Sequence, residues 1–238
     1  MSNFRNIRIG YWNCQGLSDR KWVRALAAVQ EAKLDILFLA ETWFLDHETH
    51  VSHPDYLVST PRILPRPAIG HEQAGIVCLV SQDIRKQISS ACVTRYTISI
   101  KINGHYIISV YFPPSMKPEK ISEHIPDSEL SVLIGDINTF FGVRYGTKRI
   151  GPLARLNLFR DMTANKSMNH LFPEPLGPTP DHAFVHQSLV ANYFFTTLCN
   201  DLSDHKFMLL DLNIKIYITL NKSCDDIKFH LQPLNVPA

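Results

Sequence analysis

The sequence predicts an α/β fold in a single domain, from three observations. Short apolar runs of the kind that form buried strands recur along the chain. They lie at residues 34–40, 74–80 and 132–134. Residues 20–33 place apolar side chains at helical spacing, with Ser18 or Asp19 as the cap. No internal repeat or linker divides the 238 residues, and this length suits one domain.

Turn residues and periodicity predict the other elements. Asn103-Gly104, the strongest hairpin signal in the chain, joins strands at residues 93–102 and 105–111. Helices are expected at residues 118–124 and 153–164. Further strands are predicted at residues 7–12, 56–59, 181–186, 194–198 and 207–210, the last with an extension over 214–220. We expect one domain over residues 1–220 and a poorly ordered tail over 221–238.

Composition excludes several classes of protein. A formal net charge of +2 neither requires nor excludes a polyanionic partner. The five cysteines form no Cys-x-x-Cys pair and predict free, mostly buried thiols in a reducing compartment. The first residues lack an apolar signal core, and no stretch approaches the ~18 apolar residues that span a bilayer. We therefore expect a soluble intracellular protein.

Polar side chains stand where the predicted strands end. Each alone is explained as a turn, cap or core residue, but their recurrence predicts one ligand site at a sheet edge. The set comprises Asn13, Glu41, Tyr111, Asp136 with Asn138, Asp181, and Asp204 with His205. Glu41 directly follows the apolar run 34–40, where an ionised carboxylate needs a cation or a donor. Glu41 is therefore a predicted metal ligand.

The segment Gly135-Asp136-Ile137-Asn138 follows the apolar run 132–134. On an extended backbone, Asp136 and Asn138 point to the same side while Ile137 points to the other. This arrangement would present a carboxylate and a carboxamide to a ligand. The alternative is a simple Asp/Asn turn after the strand.

A basic stretch follows this segment. Residues 142–170 contain six lysines and arginines but only one acid, Asp161. The basic residues with a predicted role in binding nucleic acid are Arg144, Lys148, Arg149 and Arg155. Such a stretch can be a solvated surface or a patch that binds the nucleic-acid backbone. Aromatic neighbours are compatible with a patch that binds nucleic acid.

Taken in order, the motifs resemble those of the endonuclease/exonuclease/phosphatase superfamily, which includes DNase I-like nucleases and abasic-site endonucleases. The likeness is strongest to the endonuclease domains of LINE-type non-LTR retrotransposons. The matching stretches are Trp12-Asn13-Cys14-Gln15-Gly16-Leu17, Ala40-Glu41-Thr42, Tyr111-Phe112-Pro113-Pro114, Gly135-Asp136-Ile137-Asn138, Asp181-His182-Ala183-Phe184 and Ser203-Asp204-His205. The resemblance spans residues 5 to about 212 and implies a four-layer α/β sandwich, with two packed sheets between outer helices.

The resemblance also implies a role for each site residue. Glu41, Asn13 and Asp204 would bind Mg²⁺, with Mn²⁺ as a substitute. Asp136 would orient or deprotonate the attacking water, and Asn138 would hold it or the phosphate in line. His205, oriented by Asp181, and Tyr111 would donate hydrogen bonds to the phosphate. The implied reaction cuts a phosphodiester of DNA and leaves a 3′-hydroxyl and a 5′-phosphate.

Some features depart from the resemblance or leave alternatives open. Gln15 stands where abasic-site enzymes carry an acid, which favours the retrotransposon branch. A phosphomonoesterase, a phospholipid-directed enzyme of the same fold and a decayed nucleic-acid-binding relic are the alternatives. The motifs include none of a reverse transcriptase, so we expect a stand-alone nuclease, a fragment of a larger element or a decayed copy. A reverse transcriptase domain or protein of the same element is the candidate partner. We expect a monomer in the nucleus.

Overall fold

The computed structural model describes residues 4–43, 56–59, 75–126, 130–139, 153–171, 180–198 and 202–217. In chain order, its elements are β1 (Phe4–Asn13), α1 (Asp19–Ala32), β2 (Ile36–Ala40), β3 (Tyr56–Ser59), β4 (Ile76–Ser81), α2 (Gln82–Arg85), β5 (Ile88–Val93), β6 (Thr97–Ile102), β7 (His105–Tyr111), α3 (Pro118–His124), β8 (Leu130–Asp136), α4 (Leu153–Asn165), β9 (Met168–Leu171), β10 (Asp181–His186), a 3-10 helix (Gln187–Asn192), β11 (Tyr193–Leu198) and β12 (Phe207–Tyr217).

The strands form two six-stranded mixed sheets. The first has the order β11-β12-β1-β2-β4-β3, and the second has the order β5-β6-β7-β8-β10-β9. Each sheet has one parallel pair near its centre, β1 with β2 and β7 with β8. The neighbours β12 and β10 run antiparallel to those pairs. The carboxyl ends of the four parallel strands and the amino ends of β10 and β12 therefore lie at corresponding sheet edges.

The two sheets pack face to face over one apolar core. Strand β2 shows why its sequence is continuously apolar. Ile36, Phe38 and Ala40 face the core between the sheets, whereas Leu37 and Leu39 pack beneath α1. A strand covered on both faces has no solvent-facing position and carries no alternation.

Helices cover the outer faces of both sheets. Helix α1 buries Ala25, Ala28 and Val29 against the first sheet, and Ser18 caps it by accepting a 3.4 Å hydrogen bond from Lys21 N. On the second sheet, an apolar cluster joins α3 and α4 to β7, β8 and β10 through Ile121 and other residues. The arrangement of helix, sheet, sheet and helix confirms the predicted four-layer α/β sandwich.

The predicted strand over residues 93–102 was wrong in its boundaries. Strands β5 and β6 meet at a turn in which the Thr94 hydroxyl accepts from Tyr96 N at 3.1 Å and from Thr97 N at 3.0 Å. A threonine hydroxyl that satisfies local backbone donors interrupts a strand. The predicted Asn103-Gly104 hairpin is confirmed, because Ile102 pairs with His105 across it.

Some of the other differences from prediction concern short elements. Helix α2 has four residues and β9 also has four, too few for a periodicity to emerge. Strand β12 runs without a break to Tyr217, and the predicted tail at 221–238 lies outside the described residues.

Cys14 and Cys78 are free and buried as expected, whereas Cys92 is free but exposed. Among the described residues, no helix has the length and apolar character needed to cross a membrane.

Candidate active site

The predicted site residues come from both sheets and converge at one edge. In the first sheet, Asn13 pairs with Ala40 across the parallel strands β1 and β2, so Glu41 lies just beyond that pair. In the second sheet, Asp136 pairs with Tyr111 on one side and with Asp181 on the other. The strand register therefore brings the polar side chains of each sheet together at one edge.

Asn13 connects the carboxylates of the two sheets. Its side-chain Nδ2 donates to Glu41 Oε1 at 2.8 Å and to Asp136 Oδ2 at 2.9 Å. Its own Oδ1 accepts a 3.2 Å hydrogen bond from Gln15 N, which fixes the orientation of the carboxamide. Asn13 thus holds two buried carboxylates close together, where each would otherwise repel the other.

Asp136 is held by a second set of contacts. Its backbone N donates to the buried Tyr11 hydroxyl at 2.9 Å, which ties β8 to β1 across the core. Its Oδ1 accepts from Asn138 N at 2.8 Å. Burial, followed by the negative charge of Asp181, raises the pKa of Asp136 well above its ordinary value. A proton or a cation at this carboxylate therefore stabilises the folded site.

His205 and Asp181 form an ion pair between the sheets. His205 Nδ1 donates to Asp181 Oδ2 at 2.7 Å, and Ser203 Oγ fixes the loop by accepting from His205 N and donating to Asn13 O. Burial alone would lower the pKa of His205, but the hydrogen bond and charge of Asp181 outweigh burial and raise the pKa to about 9. The imidazole is therefore protonated at neutral pH, and its Nε2 lies 3.8 Å from Asp204 Oδ1.

Tyr111 lies beside the carboxylates and is almost fully buried. Burial and the negative charges of Glu41 and Asp136, together with a hydrogen bond to Glu41, raise its pKa above the ordinary value of 10.0. The phenol therefore keeps its proton at any physiological pH and acts only as a neutral hydrogen-bond donor or acceptor.

The extended arrangement predicted for Asp136 and Asn138 is wrong. Strand β8 ends at Asp136, and Asn138 takes a left-handed conformation with φ of 48°. Its backbone N bonds the Asp136 carboxylate, and its Nδ2 donates to Phe112 O at 3.1 Å. The Asp/Asn turn, which the sequence left open as the alternative, is the conformation observed, because asparagine tolerates the left-handed region.

Glu41, Asp136 and His205 form a candidate metal cluster. Each offers one ligand atom, and these atoms lie within 4.8 Å of one another. A protonated imidazole cannot ligate a cation, so the two carboxylates are the better donors. Carboxylate oxygens suit a hard divalent cation. A cation there would also offset the free-energy cost of ionising the buried Asp136, whose pKa is raised. The residues therefore fit a metal of the Mg²⁺ type.

The other residues predicted to bind metal are placed less favourably. The Asp204 side chain is 78% exposed, and its Oδ1 lies 3.8 Å from His205 Nε2. The oxygen of Asn13 is directed to the backbone of Gln15, and its nitrogen faces the carboxylates. In this geometry Asn13 orients the carboxylates, and its direct ligation of a metal would require the carboxamide to turn over.

The predicted nucleic-acid-binding residues fall mainly where the structure gives no description. Arg144, Lys148 and Arg149 lie outside the described residues. Arg155 belongs to α4, but its side chain is also outside the described part. Their binding role stays a prediction.

Two contributors to the site escaped prediction from sequence. Tyr11 lies within the strand predicted at residues 7–12, where no role was predicted for it, yet its hydroxyl accepts a hydrogen bond from the backbone N of Asp136. Trp43 donates from Nε1 to Glu41 Oε2 at 3.2 Å. The sequence feature that could have indicated these roles is the polar atom of each aromatic side chain, since a buried hydroxyl or indole N–H needs a hydrogen-bond partner.

Comparison with solved structures reveals several similar folds. The chain resembles the AP endonuclease LMAP from Leishmania major, with a TM-score of 0.65, 15% identity and coverage of 87% of this chain and 88% of that one. It also resembles the endonuclease domain of TRAS1, a telomere-specific non-LTR retrotransposon, with a TM-score of 0.58, 15% identity and coverage of 87% and 98%.

A third similar structure is the 3′ phosphatase NExo from Neisseria, bound to a product DNA hairpin. Its TM-score is 0.61 at 15% identity, with 87% of this chain and 99% of that chain covered. No protein-family model and no curated protein sequence matches this chain. All three structures share one architecture. The geometry of the two sheets agrees with these likenesses: the chain has the DNase I-like fold.

Proposed function

We propose that this protein is a metal-dependent phosphodiester hydrolase, and specifically a DNA endonuclease of the retrotransposon type. The observation that carries the proposal is the bridge from Asn13 Nδ2 to Glu41 and Asp136, at 2.8 and 2.9 Å. Beside this bridge stands an imidazolium, His205, within 4.8 Å of both carboxylates. Paired carboxylates beside a fixed cationic donor suit an anionic, tetrahedral substrate such as a phosphodiester.

The protonation state of each side chain determines its role in the proposed reaction. Asp136, once ionised, accepts a proton from the attacking water, whose oxygen bonds to phosphorus. The P–O3′ bond breaks, and the departing O3′ takes a proton from solvent to become a 3′-hydroxyl. His205 donates from Nε2 to a non-bridging oxygen, where negative charge rises in the transition state. Asp181 keeps that imidazole charged and correctly turned.

Three further side chains orient these groups. Tyr111 donates a hydrogen bond to a phosphate oxygen from its protonated phenol. Asn138 fixes Asp136 Oδ1 through its backbone N, and Asn13 holds the opposite oxygen. Both oxygens of Asp136 are therefore oriented before any substrate arrives, which lowers the reorganisation needed in the reaction.

Glu41 would hold a divalent cation beside Asp136, with Asp204 as a further candidate ligand. Mg²⁺ is the proposed ion, and Mn²⁺ the expected substitute. When bound, it would polarise the phosphate and neutralise charge. The chain's own contribution is to orient the carboxylate of Glu41 through hydrogen bonds from Asn13 and Trp43.

DNA is the proposed substrate for two reasons. The structures with the same fold include two endonucleases and a phosphatase bound to a DNA hairpin. The stretch with Arg144, Lys148, Arg149 and Arg155 adds positive charge of the kind that binds phosphate backbones. The retrotransposon type, a reverse-transcriptase partner, a nuclear location and a monomeric state belong to this proposal.

A plasmid-nicking assay tests the proposal. Supercoiled plasmid incubated with the protein and Mg²⁺ should become open-circular, and the nicks should carry 3′-hydroxyls that a DNA polymerase extends. Asp136→Asn and His205→Ala should each lose activity by about 100-fold or more. The matched controls are Asp83→Asn, on α2 with a side chain 72% exposed, and His186→Ala, at the opposite end of β10 from Asp181. Equal nicking by all variants would refute the proposal.

One observation favours a second activity. The similar structure from Neisseria is a 3′ phosphatase, and a phosphomonoester presents the same phosphate oxygens to His205 and Tyr111. An oligonucleotide ending in a 3′-phosphate should be used beside the plasmid. Release of inorganic phosphate without nicking would replace the endonuclease by a phosphatase, and cation binding without either activity would indicate a decayed nucleic-acid-binding relic.

A further inference from the structure

The short segment that follows β2 has an unusual backbone. Glu41 and Trp43 both adopt left-handed conformations, with φ of 51° and 57°. Each such residue costs on the order of 1–3 kcal/mol unless its surroundings impose the conformation. Strain of this kind at two positions out of three indicates that the direction of these two side chains is specified by the fold.

Backbone hydrogen bonds supply the restraint. Gly16 N donates to Glu41 O at 2.7 Å, and Leu17 N donates to Thr42 O at 3.0 Å. On the other side, Thr42 N donates to Gly75 O at 3.3 Å. The strained segment is thus held from both flanks.

The indole of Trp43 is fixed by its packing on Gly16. A Cβ added to Gly16 would lie 2.5 Å from Trp43 Cε3, and the φ of Gly16 is 85°. Both the backbone and the contact therefore require glycine at this position. The ring has little freedom to rotate away from Glu41.

The edge of this ring holds the carboxylate of Glu41. Trp43 Nε1 donates to Oε2 at 3.2 Å, while Asn13 Nδ2 donates to Oε1 at 2.8 Å. The Tyr111 hydroxyl also hydrogen-bonds this carboxylate. Because Trp43 and Asn13 donate to opposite oxygens, these two donors determine the plane of the carboxylate.

We propose that Trp43 is a positioning residue, whose indole N–H holds Glu41 in the orientation that binds the divalent cation. This inference rests on the proposed function, because it assigns the cation to Glu41. Groups that orient a ligating side chain affect affinity even though they never touch the metal. Trp43 therefore acts on cation affinity, and on catalysis only through that affinity.

Calorimetric titration of the full chain with Mg²⁺ tests the role. Trp43→Phe keeps an aromatic ring over Gly16 but removes the N–H, and it should weaken Mg²⁺ affinity by about 10- to 100-fold. Trp43→His restores a ring N–H close to the position of Nε1 and should recover most of that loss. Trp22→Phe, on α1, is the matched control and should bind Mg²⁺ like the wild type.

An indole N–H spectrum supplies a readout independent of affinity and activity. The protein has three tryptophans, so three indole resonances are expected, and Trp43→Phe identifies one of them. That resonance should shift during Mg²⁺ titration while the Trp22 resonance stays in place. This measurement uses the wild-type fold and remains decisive if Trp43→Phe loses stability, with Trp43→His then supplying the assignment.

The outcomes separate the two proposals. If wild type binds Mg²⁺ and Trp43→Phe binds it equally well, the role of Trp43 is overturned while the proposed function stands. An unmoved Trp43 resonance at saturating Mg²⁺ has the same consequence. If wild type binds no divalent cation, the metal dependence in the proposed function fails, and the role of Trp43 fails with it.

Discussion

Asn13 and Asp136 lie 123 positions apart in the chain, yet a 2.9 Å hydrogen bond from Nδ2 to Oδ2 joins them across the two sheets. The same Nδ2 reaches Glu41, so one carboxamide connects the carboxyl ends of three strands. The contact is buried, where hydrogen bonds to charged groups contribute about 1.5–3 kcal/mol. Asn13 is therefore the residue at which the stability of the fold and the geometry of the site are most closely coupled.

Replacement of Asn13 should affect activity and stability together. Asn13→Ala removes the donor between two buried acids, so Mg²⁺-dependent nicking should fall by about 10- to 100-fold. Without Mg²⁺ the melting temperature should fall too, and saturating Mg²⁺ should restore part of that loss. Asn13→Asp, which has the same shape, should be worse than Asn13→Ala, because it replaces a hydrogen-bond donor by a third acid beside Glu41 and Asp136. Nicking rates and thermal melts with and without Mg²⁺ are the measurements, and a wild-type rate for Asn13→Asp would contradict the bridge.

Cation binding should release a proton from Asp136. Its pKa in the metal-free fold is raised above the ordinary 3.8, chiefly by burial, so the folded state holds this proton more tightly than the unfolded state. The metal-free protein should therefore lose stability as pH rises from the ordinary pKa through the raised one. A bound cation favours the ionised form, so Mg²⁺ affinity should increase with pH across the same window.

Calorimetry in buffers of different ionisation enthalpy measures that released proton directly. Asp136→Asn, which cannot ionise, should abolish the buffer dependence of the Mg²⁺ titration. Asp83→Asn, an exposed acid on α2, should leave it unchanged. Buffer-independent heats for the wild type would show that Asp136 is already ionised in the metal-free site.

Much of this site was predictable from sequence because its residues follow apolar runs. Asp136 is the last residue of β8 and Glu41 directly follows β2, so the end of each apolar run marks the first position open to chemistry. The four-layer sandwich was implied by the family resemblance that the ordered motifs carry. The contacts between them were not predictable in this way, because the bond from Asn13 to Asp136 depends on how two separate sheets are aligned.

Local conformation was the other limit. The sequence around Asn138 is compatible with an extended strand and with a turn, and the choice is made by Phe112, whose carbonyl accepts from the asparagine side chain. Likewise, the sequence near Trp43 does not predict its left-handed backbone. That conformation is imposed by backbone hydrogen bonds of this segment with residues 16, 17 and 75. Tertiary contacts decide such positions, and local propensity cannot.

Asp181 should determine the alkaline stability of the fold through His205. The folded pKa of His205 is raised from 6.5 to about 9, so the stability that this pair contributes is fully present below pH 6.5 and is lost as pH rises through about 9. Asp181→Asn removes the charge, leaving burial to lower the pKa. The difference in melting temperature between wild type and Asp181→Asn should therefore be largest near pH 6 and shrink by pH 10.

Asp204 supplies the control for that pH series. Asp204→Asn removes an exposed carboxylate 3.8 Å from the same imidazole, and solvent screens such a charge. Its melting curve should follow the wild type at every pH. A difference for Asp181→Asn that stays constant across the series would show that His205 does not titrate as proposed.

The basic stretch should control the salt dependence of DNA binding. Each phosphate contact that a lysine or arginine makes contributes about 0.9 to the slope of log affinity against log salt. Replacing Lys148 and Arg149 together by alanine should reduce that slope by up to about 2. Lys120→Ala, on α3 beside Glu123, is the control. Fluorescence anisotropy with a labelled duplex across a salt series gives the slope, and an unaltered slope for the double variant would place the DNA elsewhere.

Among the glycines that the structure describes, Gly135 should be the most sensitive to substitution, because β7 and β8 approach each other closely there. A Cβ there would lie 2.0 Å from Val110 O, with backbone atoms that cannot move aside cheaply. Gly135→Ala should therefore cost roughly 3 kcal/mol or more in the free energy of unfolding. Gly104→Ala meets nothing within 4 Å and should cost only about 1 kcal/mol, from its left-handed backbone. Urea denaturation of both variants measures the difference, and equal losses would mean that the close approach of β7 and β8 contributes nothing of its own.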